Sequence, residues 1–385
     1  MIRKMAVRLL GLGISMVNQI KSGIFFLLFL VSCINKKTNL GHEILPPSNS
    51  ILECNPDNAH TIISESIEPL QNGTSYIKAA SGVVANNGSL YIVQDSSRFL
   101  AQLTLQTKKI SFHPLAAESV ISKLENPRES YSKFRKERKA DFEAITLLPD
   151  GTMLILGSGY DAHQIGSKNH YKNVGVIFDP KTQIFQSLDL APFYRHLLER
   201  SDVVGKEKDG ISPRLNIEGA VVFEDKVAFF HRSNYNKNFH DAVIIYNLQA
   251  WLTAVEKSQW QLQELSLQQL NFGFVQKDGK KFPITLNDAT YKQGFFVIPL
   301  ACEIDKIVDG KDIDGEVVWT GIAKIKVDNP QSCEMYHLIN KNLPKVEGLY
   351  PVSDGASKWK FFAVHDIDDE NQASLLSMID LTKTK

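Results

Sequence analysis

The sequence predicts an all-β fold, a β-propeller of five or six blades with short helical insertions. Three observations carry that expectation. Short β-like runs with turn signals fill the chain from about residue 60 onward, and long amphipathic helical patterns are scarce. A hairpin that opens on an acid recurs: Glu143 to Asp150, Glu218 to Asp225 and Glu347 to Asp354 share one seven-residue spacing. Units of this kind begin near residues 80, 143, 218, 288 and 347, intervals that suit a four-stranded blade carrying loop insertions. A pair of β-sandwiches is the competing architecture.

The N-terminus comes first. Residues 24–33, IFFLLFLVSC, follow Lys21 and form an apolar run too short to span a bilayer but of signal-peptide length. Its end, Leu30-Val31-Ser32-Cys33, resembles the lipobox of bacterial lipoproteins. Residues 1–32 are therefore expected to be a signal peptide, with Met16 as an alternative start and Cys33 as the lipidated first residue of the mature chain. A signal peptide with a chance cysteine, or a short anchor, is the alternative. By the same resemblance, Ile34 in place of the aspartate of inner-membrane lipoproteins points to the outer membrane. Residues 33–60 have the polar, Pro-containing composition of a tether, and residues 61–385 are assigned to the propeller.

Composition narrows the partners. The chain holds 43 basic and 43 acidic residues, so no surplus of positive charge suggests nucleic acid. The run KFRKERK at 133–139 is read as a solvated loop. Beyond Cys33, three cysteines remain. Cys54, Cys302 and Cys333 allow at most one bridge in an oxidising compartment, and no CxxC spacing suggests a thiolate metal site. Cys302 sits in an apolar run and is expected to be a buried small hydrophobe.

The β units then follow in order. ASGVVANNGSLYIVQD (80–95) opens the series with Ala80 where the other units carry an acid, and DFEAITLLPDGTMLILGSGYD (141–161) places an acid on each side of Phe142. Helical segments at Phe193–Ser201 and Leu248–Glu256 read as insertions. NIEGAVVFEDKVAFFHRSN (216–234) is the third unit. NDATYKQGFFVIPLACE (287–303) is the fourth, with Asp288 in the acid position and a turn one residue shorter. VEGLYPVSDGASKWKFFAVHD (346–366) is the fifth. The N-terminal strand near Thr61 to Ile67 is expected to pair with SLLSMIDL near the C-terminus and so remove an exposed edge.

In a propeller, one repeat position converges on the axis. That geometry would gather Glu143, Glu218, Asp288 and Glu347, joined by Glu303 at the end of a second strand. Crowded carboxylates raise one another's pKa unless a cation or an arginine compensates. Calcium, with six to eight oxygen ligands, is the first cation expected, and magnesium or manganese follow. Alternatively, each acid clasps backbone N–H groups of a neighbouring blade. The second-strand ends add Gln94-Asp95, Ser158 with Tyr160-Asp161, His231-Arg232-Ser233-Asn234 and His365-Asp366 followed by Asp368. Arg232 offers a fork for an anionic substrate group. His365 beside Asp366 is a candidate general base with its orienter, or a satisfied structural histidine. There is no GxSxG elbow, phosphate-binding loop, HExxH or dinucleotide-binding glycine pattern.

The strings ADFEAITLLPDGTMLILGSG, LNIEGAVVFEDKVAFFHRSN, NDATYKQGFFVIPLACE and KVEGLYPVSDGASKWKFFAVHDID resemble an uncharacterised bacterial family of propeller lipoproteins. That family is similar in pattern to phytase-like and SdiA-regulated-like propellers. The resemblance implies acids at the channel mouth that bind calcium, which in turn binds phosphate, with Glu143, Glu218 and Glu347 as the matching positions. An evident set of Lys and Arg for a polyphosphorylated substrate is lacking. Two functions stay open: a lipid-anchored, metal-dependent hydrolase of phosphatase or esterase type, or a non-catalytic envelope binding or scaffold module with structural acids. Either would be a monomer held at the membrane through Cys33.

Overall fold

Runs such as Met153-Leu154-Ile155-Leu156 and Val227-Ala228-Phe229-Phe230 are apolar at successive positions, as strands covered on both faces must be. Both form strands in which these residues are buried. The computed structural model describes residues 51–384, except 74, 117–139, 161–170, 206–213, 234–239, 259, 261, 309–310, 330–331, 340–343, 353–357 and 368–371. The expected signal peptide, Cys33, the first part of the tether, the basic run at 133–139 and residues Asp161, Asn234, Asp354 and Asp368 lie outside the described residues.

Five sheets, antiparallel through their core strands, make five blades. Blade I is Ala80–Asn86, Ser89–Gln94, Phe99–Thr104 and Lys109–Pro114. Blade II is Phe142–Leu147, Met153–Gly157, Val174–Asp179 and Ile184–Asp189. Blade III is Ile217–Phe223, Lys226–His231, Asp241–Asn247 and Ser266–Asn271. Blade IV has a broken inner strand, Thr285–Leu286 and Thr290–Lys292, then the long pair Phe295–Val308 and Lys311–Lys326, then Cys333–Leu338. Blade V is Val346–Pro351, Lys360–His365 and Leu375–Asp380. Each inner strand packs on the next and the fifth packs on the first, so the ring is closed. This is a propeller and not a pair of sandwiches.

Blade V takes its fourth strand from the N-terminus. Ser64–Pro69 pairs antiparallel with Leu375–Asp380, as the edge argument requires. The segment before it does more than the sequence suggests. Ile51–Glu53 adds a parallel strand to the rim of blade III, and His60–Ile62 adds another to blade IV. Between them the Cys54–Cys333 disulfide ties the segment to the outer strand of blade IV, so the first twenty described residues staple three blades. Cys302 is reduced and buried.

Five apolar clusters hold the ring, one between each pair of neighbouring blades. The layer between blades II and III is widened by the helical insertions, Ala191–Leu198, Ser201–Val204 and Leu248–Lys257. Asn247 caps the last of these by accepting from the Ala250 N–H at 3.0 Å. Phe193 is the hub of the layer, with ring centroids of Phe229 and Trp260 at 5.0 and 5.2 Å.

Candidate functional site

The repeated glutamate has one structural cause: in blades II, III and V it is the extra residue of a β-bulge in the inner strand. Phe142 pairs with Gly157 and Ala144 with Leu156, which leaves Glu143 unpaired between them. Ile217 pairs with His231 and Gly219 with Phe230, which leaves Glu218, and the same shift between Val346 and Gly348 leaves Glu347. In blade IV, Asp288 lies in the break of the inner strand. A bulge turns its residue out of the pleat, and here four bulges and the break at Asp288 bring one residue per blade to the same end of the channel. In blade I the shift falls between Ala80 and Gly82, so Ser81, and not Ala80 as expected from the spacing, takes the acid position.

The small residue after each acid follows from the same geometry. A Cβ on Gly219 would meet the Ala289 amide nitrogen at 2.7 Å, and one on Gly348 would meet the Gly82 Cα at 2.9 Å. Inner strands touch backbone to backbone at this level, which larger side chains would prevent. Toward the hairpin turns the axis reopens into a cavity of about 130 Å³, lined by residues such as Val83, Ile145, Val221, Tyr291 and Tyr350. The acids therefore face one mouth, and a chamber of mixed polar and apolar lining lies on the other side of the glycine contacts.

At the mouth, blades III to V hold a chain of buried ion pairs. Arg232 reaches Glu218 at 3.4 Å with Nη1 and Glu303 at 3.2 Å with Nη2. Lys345 reaches Glu303 at 2.7 Å and Glu347 at 2.8 Å. Asn216 donates its side-chain N–H to Glu218. Glu303 comes from the base of the long blade IV hairpin, beside a second bulge between Cys302 and Glu303. Asp288 accepts the Leu349 N–H at 3.1 Å and so clasps blade V to blade IV. Burial drives the carboxyl pKa values up. Glu218 is raised against the pull of Arg232 and Lys345, Asp288 is raised well above its ordinary value, and Glu347 rises from 4.5 to about 8.

Blades I and II hold the second half of the mouth. Asp95, Asp141 and Glu143 each bring a carboxylate oxygen within 4.8 Å of the other two. Asp141 is in the left-handed region, φ 55°, immediately before the inner strand. Its Oδ2 accepts from Ser158 Oγ and lies 3.2 Å from Lys172 Nζ. Lys172 in turn lies 4.7 Å from the ring centre of Tyr160, and Arg214 lies 4.9 Å from the same ring and donates to its hydroxyl. Three hard oxygen donors at this separation suit a divalent cation such as calcium, whose coordination is irregular and oxygen-rich.

The structure thus gathers Glu218, Glu303 and Glu347 around Arg232 and Lys345, and sets Glu143 with Asp95 and Asp141 on the other side. Arg232 faces carboxylates. His365 turns into its own blade, where its ring nitrogens face the Pro344 carbonyl and Ser377 Oγ, the latter at 2.7 Å, and burial lowers it from 6.5 to about 4. His231 occupies the matching place in blade III, against the Asn216 backbone, and is lowered to about 4 in the same way. Asp366 is half-buried at the rim, one residue past the second strand of blade V. Lys345 and Lys172 escaped the sequence reading. Lys345 was findable: it stands two residues before Glu347, as Asn216 stands before Glu218 and Asp141 before Glu143.

Comparison with known proteins adds the family and little else. No protein of curated function matches the chain. Among solved structures, a glycosyl hydrolase from Bacteroides ovatus is similar at TM-score 0.41 and 9% identity, over 86% of this chain and 96% of that one. Myxococcus xanthus glutaminyl cyclase is similar at TM-score 0.41 and 8% identity, over 84% and 98%. The WD40 repeats of RRP9 give TM-score 0.37 and 8% identity, over 83% and 99%. Likeness at this level says nothing about chemistry, and the five-bladed architecture rests on the strand pairing above. The chain belongs to a family of unknown function, DUF6929, whose profile matches residues 76–381.

Proposed function

We propose that this protein is a cell-envelope propeller that binds a divalent cation, calcium before magnesium or manganese, at the axial mouth and presents it to an anionic ligand. The observation that carries the proposal is the convergence of Asp95, Asp141 and Glu143 within 4.8 Å at the end of the channel. Glu218, Glu303 and Glu347 have a different part: spanned by Arg232 and Lys345, they clasp blades III to V. The Cys54–Cys333 disulfide supports an oxidising compartment. The apolar run ending in Cys33 supports a lipid anchor, with the outer membrane as its destination.

A second reading, a metal-dependent phosphatase or esterase, is favoured by one observation. Burial raises Glu347 to about 8 against the pull of Lys345, which favours the protonated form that a general acid needs. Calcium titration of the purified mature domain with melting curves tests the first reading. A rise in melting temperature that chelator reverses, and that Asp141→Asn with Glu143→Gln abolishes, is expected; an unchanged curve would sink it. Hydrolysis of phosphate and carboxylate esters that survives Glu347→Gln unaltered would sink the second. Membrane release of Cys33→Ser is expected, and retention would rule out the proposed anchor.

A further inference from the structure

We infer that Lys172 and Arg214, gathered at the Tyr160 ring, form a seat for an oxyanion, and that this seat is coupled to the cation site through Asp141. The inference rests on the cation reading above and assigns the ligand chemistry of the same mouth.

The mouth cations differ in what they face. Arg232 is spent between Glu218 and Glu303, and Lys345 between Glu303 and Glu347. Arg214 has no acidic partner among the described residues: its contacts are the Tyr160 hydroxyl and the Tyr160 ring. It is exposed at the rim, two residues before Asn216 and four before Glu218. An exposed guanidinium held in place by an aromatic ring is pre-organised for a phosphate or carboxylate, because its fork is ordered before the ligand arrives. The ring sits beside the acid cluster, since Ser158 Oγ accepts the Tyr160 N–H at 3.2 Å and itself donates to Asp141.

Lys172 joins the two sites. Its ammonium is 3.2 Å from Asp141 Oδ2, where it neutralises part of the acid cluster, and 4.7 Å from the Tyr160 ring centre. A divalent cation on Asp95, Asp141 and Glu143 competes for the same oxygen and repels the ammonium. Lys172 then moves off Asp141 while its stem stays beside Tyr160, which places its charge next to Arg214. Cation binding so completes the anion seat. By reciprocity, an anion that engages Lys172 must tighten cation binding by the same factor. Lys172 is in this scheme a tethered counter-ion that opposes the cation until an anion takes it up.

Isothermal titration of the mature protein with calcium, with inorganic phosphate and with acetate, each in the presence and absence of the other partner, tests the scheme. The two anions separate phosphate ligands from carboxylate ligands. Phosphate or acetate should bind at least about fivefold more tightly with calcium present. Arg214→Ala should weaken anion binding about tenfold and leave calcium affinity alone, and Arg214→Lys should restore part of the loss. Lys172→Met should tighten calcium binding, because the competing ammonium is gone, and should abolish the coupling. Calcium affinity that falls or stays level in Lys172→Met, or anion affinity untouched in Arg214→Ala, overturns the inference. Calcium binding with no response to either anion overturns the seat and spares the cation reading. Anion binding that depends on Arg214 in a protein that takes no calcium overturns the coupling and the cation reading together.

Discussion

Replacing Arg232 by methionine keeps the volume and removes the charge between Glu218 and Glu303. The two contacts, 3.4 and 3.2 Å, are each worth about 5 kcal/mol of gross Coulomb energy at an effective dielectric of about 20. Desolvation of the guanidinium cancels part of this, and Lys345 continues to serve Glu303. What remains is a buried Glu218 whose charge is left with the Asn216 amide and the weaker pull of Lys345, and stranding one partner of a buried pair costs about 3–5 kcal/mol. The loss must depend on pH. Without Arg232 the folded-state pKa of Glu218 rises further above its ordinary 4.5. A carboxyl raised in the folded state costs nothing below its unfolded pKa and progressively more as pH climbs. Urea unfolding of Arg232→Met at pH 4.5 and pH 8 should show a small penalty at the first and the full one at the second. Glu218→Gln added to Arg232→Met should recover most of it. Equal penalties at both pH values, or no recovery in the double variant, would refute the ion-pair account.

Two opposing titrations overlap, and wild-type stability should peak near pH 6.5, where the histidine gain ends and the Glu347 loss continues. Glu347, raised from 4.5 to about 8, makes stability fall as pH rises through that window, and Glu347→Gln should flatten the fall. His231 and His365, both lowered from 6.5 to about 4, make stability fall as pH drops through their window, and His365→Gln should soften the acid limb in the same unfolding series. The Cys54–Cys333 bridge closes a loop of 279 residues, so Cys54→Ser with Cys333→Ser should cost about 3–5 kcal/mol and make denaturation insensitive to reductant. Gly219→Val should cost more than about 2 kcal/mol in chemical denaturation, since its Cβ would meet the Ala289 amide nitrogen at 2.7 Å. A neutral Gly219→Val would mean the inner strands are not in contact there.

Much of the ring was legible because it is local. The acid, the small residue after it and the turn seven residues on are one hairpin written several times, and each feature answers to a nearby constraint: a bulge, a close backbone approach, a tight turn. Blade I was misaligned by one residue because Ser81 is not an acid and Asn-Asn-Gly offered a turn at the wrong offset. The parallel strands at Ile51–Glu53 and His60–Ile62 were not legible, since three residues carry no period. Lys172 and Arg214 were missed because they come from connections between strands, whose course no hairpin pattern dictates.

The sequence by itself determined that this chain repeats, that each repeat is a hairpin opening on a carboxylate, and that repeats of such length close into a propeller. Those are consequences of side-chain alternation and turn chemistry within about twenty residues. The tertiary structure alone decided how the carboxylates divide. Whether an acid at the axis faces a guanidinium, an ammonium or two other acids depends on which side chains the neighbouring blades bring to it, over separations of 71 residues for Arg232 and Glu303. Glu218, Glu303 and Glu347 ended spanned by Arg232 and Lys345 and hold blades together, and Asp95, Asp141 and Glu143 ended close enough to one another to share an ion, with Lys172 against Asp141.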